Sequence, residues 1–510
     1  MSHTINPTLT FPSANGAHSV VAWPGRESAS WLTPAISPAR IQDALVRTVP
    51  EFASGALLLK QCRVRRLRLR EESGYWTGVY TLEITRVATG DCQQVQLQGA
   101  LIPPADPTPE PSDGAYPFGH AQWRCYLAEL HLSLATAPPE STLQTLPTLT
   151  DATAARAMLE TAIRANGGPY AGYKIAACTP HIMRYKPGSR CTVLYELTYP
   201  ADQAPQNRAW PAVVIAKTYR GSKGENAYAG MKKLWESPLG QSQTVAIAEP
   251  LAFLPEENVL VQGPIREEQT LKQLLERAWL QADPALDTQV AVYLRQAARG
   301  LAELHHSGAY HGEVVTWEAE LDDILQRRAR LTKPLPQLAN LAEDLVQQWR
   351  ALAAATPADP RLPAHRSFRP AQILLAQGEI GFIDFDGFCQ AEPAMDLALF
   401  MTTLKNFGLK KLATPGATLE SSPEDEDDDD EVEEDSPVDP ATRLAQLEQL
   451  EALCTIFLAE YERHAPVNRQ RLWLWESIDL LSLIMSSWSK IKLARLEHCI
   501  FMLERHLEKM

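Results

Sequence analysis

The sequence predicts an α+β protein of two lobes, a β-rich smaller lobe followed by a helical larger one, with an additional β-rich segment ahead of both. Three observations carry that prediction. Runs that alternate apolar with polar residues, the two-residue period of half-buried strands, fill much of residues 57–101 and recur between 181 and 265. From Leu271 onward apolar residues return at helical spacing, as in TQVAVYLRQAARGLAELHHSG. At 510 residues and 45% hydrophobic content, the chain exceeds one ordinary domain and has ample material for packed interiors.

Taken in order, the expected units are a mostly irregular segment at 1–50, a β-rich segment with a Pro-rich linker at 51–149, a smaller lobe at 150–265 and a helical lobe at 266–510. Within 1–50 one helix is expected, from Pro38 to Val49. LLLKQCRVRRLRLR then alternates apolar with basic residues, and YWTGVYTLEI and CQQVQLQGALI follow turn signals, so an antiparallel sheet with one wet face is expected. The ladder Arg63, Arg65, Arg66, Arg68 and Arg70 fits an anionic-ligand surface, although a solvated strand face is the commoner source of such a pattern. The prolines of 103–119 exclude a sheet interior and mark a linker. Residues 121–136 read as helical, and LPTLTDATAARAMLETAIRANGG gives another helix with Asp151 as N-cap and Gly167-Gly168 as its stop.

A second run of strands follows, HIMRYKPGSRCTVLYELTY and WPAVVIAKTYRG. Its hairpin pattern is similar to RLRLREESGYWTGVYTLEIT of the first run; duplication and chance both account for that, and the first run has no lysine at the place of Lys217. Lys217 ends the apolar strand VVIAK, where a buried ammonium is costly unless an anion meets it. Glu225 and Glu236, which flank the next helical segment, are both candidates for that anion. LAFLPEENVLVQGPI reads as two short strands around a turn, and residues 316–355 as further helices.

The stretch HRSFRPAQILLAQGEIGFIDFDGFCQAEPAMDLALF, which begins at His365, concentrates the chemistry. Two apolar strands around Gly378 form a hairpin, which would bring Gln372, just before the first strand, together with Asp384, just after the second. An amide oxygen and a carboxylate so placed suit magnesium, which prefers oxygen ligands and retains waters.

These residues resemble the catalytic centre of the aminoglycoside phosphotransferase-like kinases, a group that includes choline kinases, fructosamine kinases and the maltokinase-like enzymes. That group carries His-x-Asp-x-x-x-x-Asn or Gln, a short hairpin, Ile-Asp-Phe/Trp-Asp/Glu and a later Asp-Leu-Ala; the matching positions here are His365, Gln372, Asp384, Asp386, Asp396, Leu397 and Ala398. The resemblance implies a two-lobed protein-kinase-like fold that uses ATP and Mg2+. It implies that Lys217 holds nucleotide phosphates, that backbone groups from Val261 to Gly263 bind adenine, that Gln372 and Asp384 bind the metal, and that the helices of 316–355 help bind the acceptor. His311-Gly312-Glu313 imitates the catalytic loop but lacks the amide residue and hairpin behind it. Asp396 is expected to cap a helix and anchor the loop rather than to do chemistry.

One position departs from the pattern. Ser367 stands where the family has its catalytic aspartate, and a serine has no accessible charge near neutral pH with which to take a proton. Two readings follow. In the first, the protein is an ATP-dependent phosphotransferase acting on a sugar-like or other small-molecule hydroxyl, with Asp386 or a water as base. In the second it is a pseudokinase that keeps the nucleotide site, with Arg366 and Arg369 offering an anionic ligand a place beside Ser367.

The formal net charge of −14 argues against non-specific nucleic-acid binding, and most of it lies in the run from Glu420 to Asp439. An acidic disordered insertion at 418–440 is expected, with solubility or a basic protein partner as its use. The eight cysteines form no C-x-x-C pair and are expected to be free thiols, most of them buried. The opening residues have no basic start and apolar run of a signal peptide, and no stretch reaches the length of a membrane span. A cytoplasmic protein without membrane attachment is the expectation.

Overall fold

The computed structural model describes residues 8–12, 18–23, 30–104, 106–107, 116–138, 143–201, 210–412 and 439–509. All but the last two residues of the expected acidic insertion, 418–440, lie outside the described residues.

The amino-terminal segment, expected to be mostly irregular, contains a two-stranded hairpin (Thr8–Pro12 with His18–Ala22) and the expected helix, α1 (Pro38–Thr48). α1 buries Ile41, Ala44 and Leu45, one apolar stripe at helical spacing, against the sheet that follows. That sheet contains β1 (Leu57–Leu69), β2 (Trp76–Arg86), β3 (Cys92–Leu101), β4 (Arg124–Leu127) and β5 (Leu132–Thr136), all antiparallel, in the order β1-β2-β3-β5-β4. The arginine ladder lies on the edge strand β1, whose register is interrupted by irregularities between Leu59 and Gln61 and between Arg65 and Arg68, a feature that discourages edge pairing.

Residues 121–136, expected to be helical, form β4 and β5 instead. A 3-10 turn at Ala128–Leu130 joins them, and in β5 Leu132 and Leu134 are both buried, a two-residue period that a leucine-rich composition hides.

Beyond α2 (Ala152–Ala165), capped by Asp151 as expected, comes the second sheet. It is made of β6 (Ala177–Lys186), β7 (Arg190–Thr198), β8 (Val213–Thr218), β9 (Pro250–Leu254) and β10 (Val259–Gln262), again antiparallel, in the order β6-β7-β8-β10-β9. The strand order matches that of the first sheet, and in each case the preceding helix packs on the first and fourth strands. The likeness of the two hairpins therefore extends to a whole five-stranded unit, as a duplication would leave it. The second unit adds α3 (Lys223–Glu236) between its third and fourth strands.

The larger lobe is helical: α4 (Leu271–Gln281), α5 (Pro284–His305), α6 (Trp317–Leu331), α7 (Pro336–Ala355), then α8 (Pro393–Leu412), α9 (Pro440–His464), α10 (Arg469–Lys490) and α11 (Leu493–Leu507). Between α7 and α8 the chain forms the hairpin of β11 (Ile373–Ala376) and β12 (Glu379–Phe382). The expected two-lobed α+β, kinase-like architecture is thus present, preceded by a further β unit. That unit leans on the larger lobe: the Trp76 indole donates to Trp488 O at 2.9 Å, and Lys333 meets Asp106 at 2.9 Å. Trp475 and Trp488 are core residues, and six of the eight cysteines are buried. No helix among the described residues is long and apolar enough to cross a membrane.

Candidate functional site

The site forms because the hairpin closes as its sequence demands. Pairing of Ile373 with Phe382, extended by the hydrogen bond from Ile383 N to Gln372 O at 3.1 Å, places Gln372 beside Asp384. The Gln372 amide then donates from Nε2 to Asp384 Oδ2 at 3.1 Å. Asp384 sits in the left-handed region at φ 71°, which aspartate tolerates better than most residues and which turns its carboxylate out of the strand direction.

Lys217 enters from the other lobe. Along β8 Val214, Ala216 and Thr218 are buried in the sheet, so alternation puts Lys217 on the opposite face, toward the hairpin. Its ammonium bonds Asp384 and both oxygens of Asp386, the latter two at 2.9 Å. Neither Glu225 nor Glu236 is its partner; both are exposed on α3, and the anions that meet the buried ammonium are the two aspartates. Tyr219, two residues on and therefore on the same strand face, donates to Asp386 Oδ1 at 2.7 Å. The period-two spacing of Lys217 and Tyr219 was a usable signal for this residue, which the sequence reading passed over.

Burial works to raise the Asp384 pKa, but Lys217 outweighs it and holds the carboxyl well below the usual carboxylate range. Asp386 moves the other way: burial raises it, Lys217 opposes, and the neighbouring Asp384 charge adds to the rise. On acidification Asp386 therefore takes up a proton first.

The fit of these residues to a divalent cation rests on one orphaned atom. Gln372 Oε1 is buried with no hydrogen-bond partner among the described residues, next to two carboxylates that share one ammonium. An unpaired buried amide oxygen costs about 1–3 kcal/mol, a cost that a cation at this point would remove. No group of three or more His, Cys, Asp or Glu side chains arranged to hold a metal occurs among the described residues, so the available ligand set is two carboxylates and an amide.

The loop from His365 to Gln372 is held from beneath. Asp396, at the start of α8 and fully buried, accepts from His365 N at 2.6 Å and Arg366 N at 2.7 Å, and contacts His305 Nε2 at 3.1 Å. His305 Nδ1 in turn meets the Tyr461 hydroxyl at 2.7 Å. Asp396 thus anchors the loop. Its link to His305 and Tyr461, from two distant helices, was not legible in the sequence.

Ser367 faces inward. With His365 Nε2 on Ile383 O at 3.0 Å, the neutral ring presents Nδ1 as an acceptor, and burial lowers the His365 pKa so that the neutral form persists. The single Ser367 hydroxyl proton is then shared between His365 Nδ1 at 3.1 Å and Asp384 O at 3.2 Å. Arg366, considered for an anionic ligand, is instead committed to Glu313 and, at 3.5 Å, to Glu320. The His311-Gly312-Glu313 segment packs against the strand that follows Asp386, with Gln390 N donating to Glu313 O at 2.9 Å.

Of the residues expected to contact adenine, Val261 lies between Ala216 and Ala252 in the ladder, and Gly263 donates its N–H to Glu249 O at 2.8 Å. The turn Lys186–Arg190 is braced by Arg220 on Gly188 O.

Residues 269–434 match the model of a family described as the phosphotransferase enzyme family, APH, a span that includes the whole hairpin and its loop. No curated protein matches the chain. Among solved structures, a choline/ethanolamine kinase family protein from Mesorhizobium loti is similar over 69% of this chain and 97% of its own, at 14% identity and a TM-score of 0.42. A glucosamine kinase in complex with glucosamine, ADP and inorganic phosphate is similar over 92% of this chain and 98% of its own, at 13% identity and a TM-score of 0.42. A choline kinase from Cryptosporidium parvum covers 70% of this chain and 95% of its own, at 12% identity and a TM-score of 0.40.

Proposed function

We propose that the protein binds ATP with magnesium between its lobes and transfers a phosphoryl group to a sugar-like or other small-molecule hydroxyl. The observation that supports this most is the meeting of Lys217, Asp384, Asp386 and the orphaned Gln372 oxygen at one point, contributed by segments more than 150 residues apart. Magnesium, when bound, would neutralise phosphate charge at these carboxylates. Lys217 is a buried ammonium that requires an anion at all times; nucleotide phosphates would take over that role and release Asp384 and Asp386 for the cation. Asp396 would keep the loop in register by fixing the amides of His365 and Arg366.

A second reading, nucleotide binding without transfer, is favoured by the Ser367 hydroxyl, whose proton is directed into its own loop. Asp386 is a poor substitute base while it is tied to Lys217 and Tyr219. Titration of wild-type protein with ATP by calorimetry tests what the two readings share: binding is expected with magnesium and much weaker without it, and no binding at millimolar ATP would sink both. Ser367→Asp separates them. A positioned proton acceptor is worth roughly 10²- to 10⁴-fold, so ADP release with water as acceptor should rise at least about tenfold under the first reading. An unchanged rate, with binding intact, would favour the second.

A further inference from the structure

A cavity of about 340 Å³ lies in the larger lobe where α8, α9, α10 and α11 meet. That is within the range of small-ligand sites, roughly 300–1,000 Å³. Its apolar wall is formed by Met401, Leu447, Leu472 and Met502. Set into that wall are two buried charged side chains, Lys405 at 8% and Glu476 at 7% exposure, paired with each other. His506, also buried, stacks on Trp473 with ring centroids 4.9 Å apart and contacts Trp473 O at 3.0 Å and Ser477 at 3.1 Å.

The hydrogen-bond inventory of this pair is lopsided. Glu476 has Lys405 on Oε1 and the His506 ring 3.7 Å from Oε2. Lys405 has three N–H donors and, among the described residues, one hydrogen-bond acceptor, Glu476. Lys405 lines the cavity, so its remaining donors are within reach of a ligand there, beside apolar side chains and the Thr455 hydroxyl and Glu451 carboxylate of α9. Two more cations line the cavity, Arg469 and Lys509, with side-chain exposures of 70% and 48%; Arg469 is paired with Glu462 and Lys509 with Glu451.

We propose that this cavity is a second ligand site, which takes a small amphiphilic anion, its carboxylate accepting from Lys405 and its short apolar body lying against Met401, Leu447 and Met502. The chemistry of the lining selects this class. An apolar molecule would leave the Lys405 donors unmet. An amphiphilic cation would bring a like charge to Lys405 in a low-dielectric pocket. The site also has a route to the catalytic loop: Lys405 and Asp396 share α8, and Tyr461 of α9 meets Asp396 through His305.

The test uses the full chain and three probes of one length, hexanoate, hexanol and hexylammonium, followed by calorimetry. Hexanoate is expected to bind at least about tenfold more tightly than hexanol, with hexylammonium weakest. Lys405→Met combined with Glu476→Gln removes both charges together and avoids a lone buried carboxylate; the hexanoate preference should vanish while hexanol binding persists. Leu458→Trp, which fills the cavity, should abolish all binding. Equal affinity for hexanoate and hexanol, preference for hexylammonium, absence of binding by any probe at 20-fold molar excess over millimolar protein, or hexanoate binding unchanged in Leu458→Trp would each overturn the proposal.

Discussion

Asp384→Asn is expected to reduce magnesium-dependent ATP binding at least about 100-fold while leaving the chain folded. In the structure Asp384 and Asp386 present two negative charges against the single positive charge of Lys217, so the point where they converge is net negative and receptive to a cation. Two unit charges 4 Å apart at an effective dielectric of 20 interact by about 4 kcal/mol. Loss of one carboxylate therefore removes more than the roughly 2.7 kcal/mol that a 100-fold change requires. Stability should change far less, because Lys217 keeps both Asp386 oxygens at 2.9 Å and no charge is left alone. The pKa directions add a sign to the same experiment. The depressed Asp384 pKa contributes stability that is fully present above the usual aspartate range and is lost as pH falls below that range toward the depressed folded value; Asp386, with a raised pKa, contributes in the opposite sense and is the first to protonate. Magnesium affinity should thus weaken on mild acidification before the fold does. Calorimetry at several pH values, beside thermal unfolding of both proteins, decides the matter, and ATP binding that survives Asp384→Asn unchanged would remove the site from this hairpin.

Much of this site was legible because its parts are local. The hairpin, with Gln372 ahead of it and Asp384 behind it, needs only strand propensity and a turn at Gly378 to be read from consecutive residues. The inward place of Lys217 follows from strand alternation. Its partner was misjudged because charge pairing was sought nearby, on α3, whereas the acids that reach it are 167 and 169 residues away in the other lobe. Distance in sequence hides such contacts from any periodicity argument. The orientation of Ser367 was illegible for a different reason: one hydroxyl proton and two acceptors are fixed by the ring position of His365, which depends on Ile383 across the loop. Residues 121–136 were misread because leucine and alanine favour helix in isolation, while the buried alternation of Leu132 and Leu134 is imposed by pairing with β3 and between β4 and β5. The Gly263 assignment rested on chain order alone, which does not show that Glu249 O accepts its N–H.

Asp396→Ala should have the largest effect on stability of any single change near the site, a loss of about 3–5 kcal/mol. The residue is fully buried, as are His365 and His305, so no water is at hand to replace the carboxylate. Its removal orphans three donors at once: the amides of His365 and Arg366 and the His305 ring. At about 1–3 kcal/mol for each unsatisfied buried donor, partly relieved by relaxation, the sum falls in the stated range. Arg366 adds a local reason for concern, since its φ of 64° is a conformation that a long side chain rarely adopts, and the bond from its amide to Asp396 helps hold it there. Asp396→Asn is the informative companion. Its remaining oxygen serves one or two of the donors, but its NH2 group opposes the third, so an intermediate loss is expected. Urea unfolding at constant m-value measures both, and hydrogen exchange at the amides of residues 365 and 366 locates the change. If Asp396→Ala shifts stability by less than about 1 kcal/mol, or if those two amides exchange no faster than before, the carboxylate is not what holds this loop. The proposed site would then owe its geometry to the hairpin alone, and Asp384→Asn and Asp396→Ala would combine additively rather than through a shared loop.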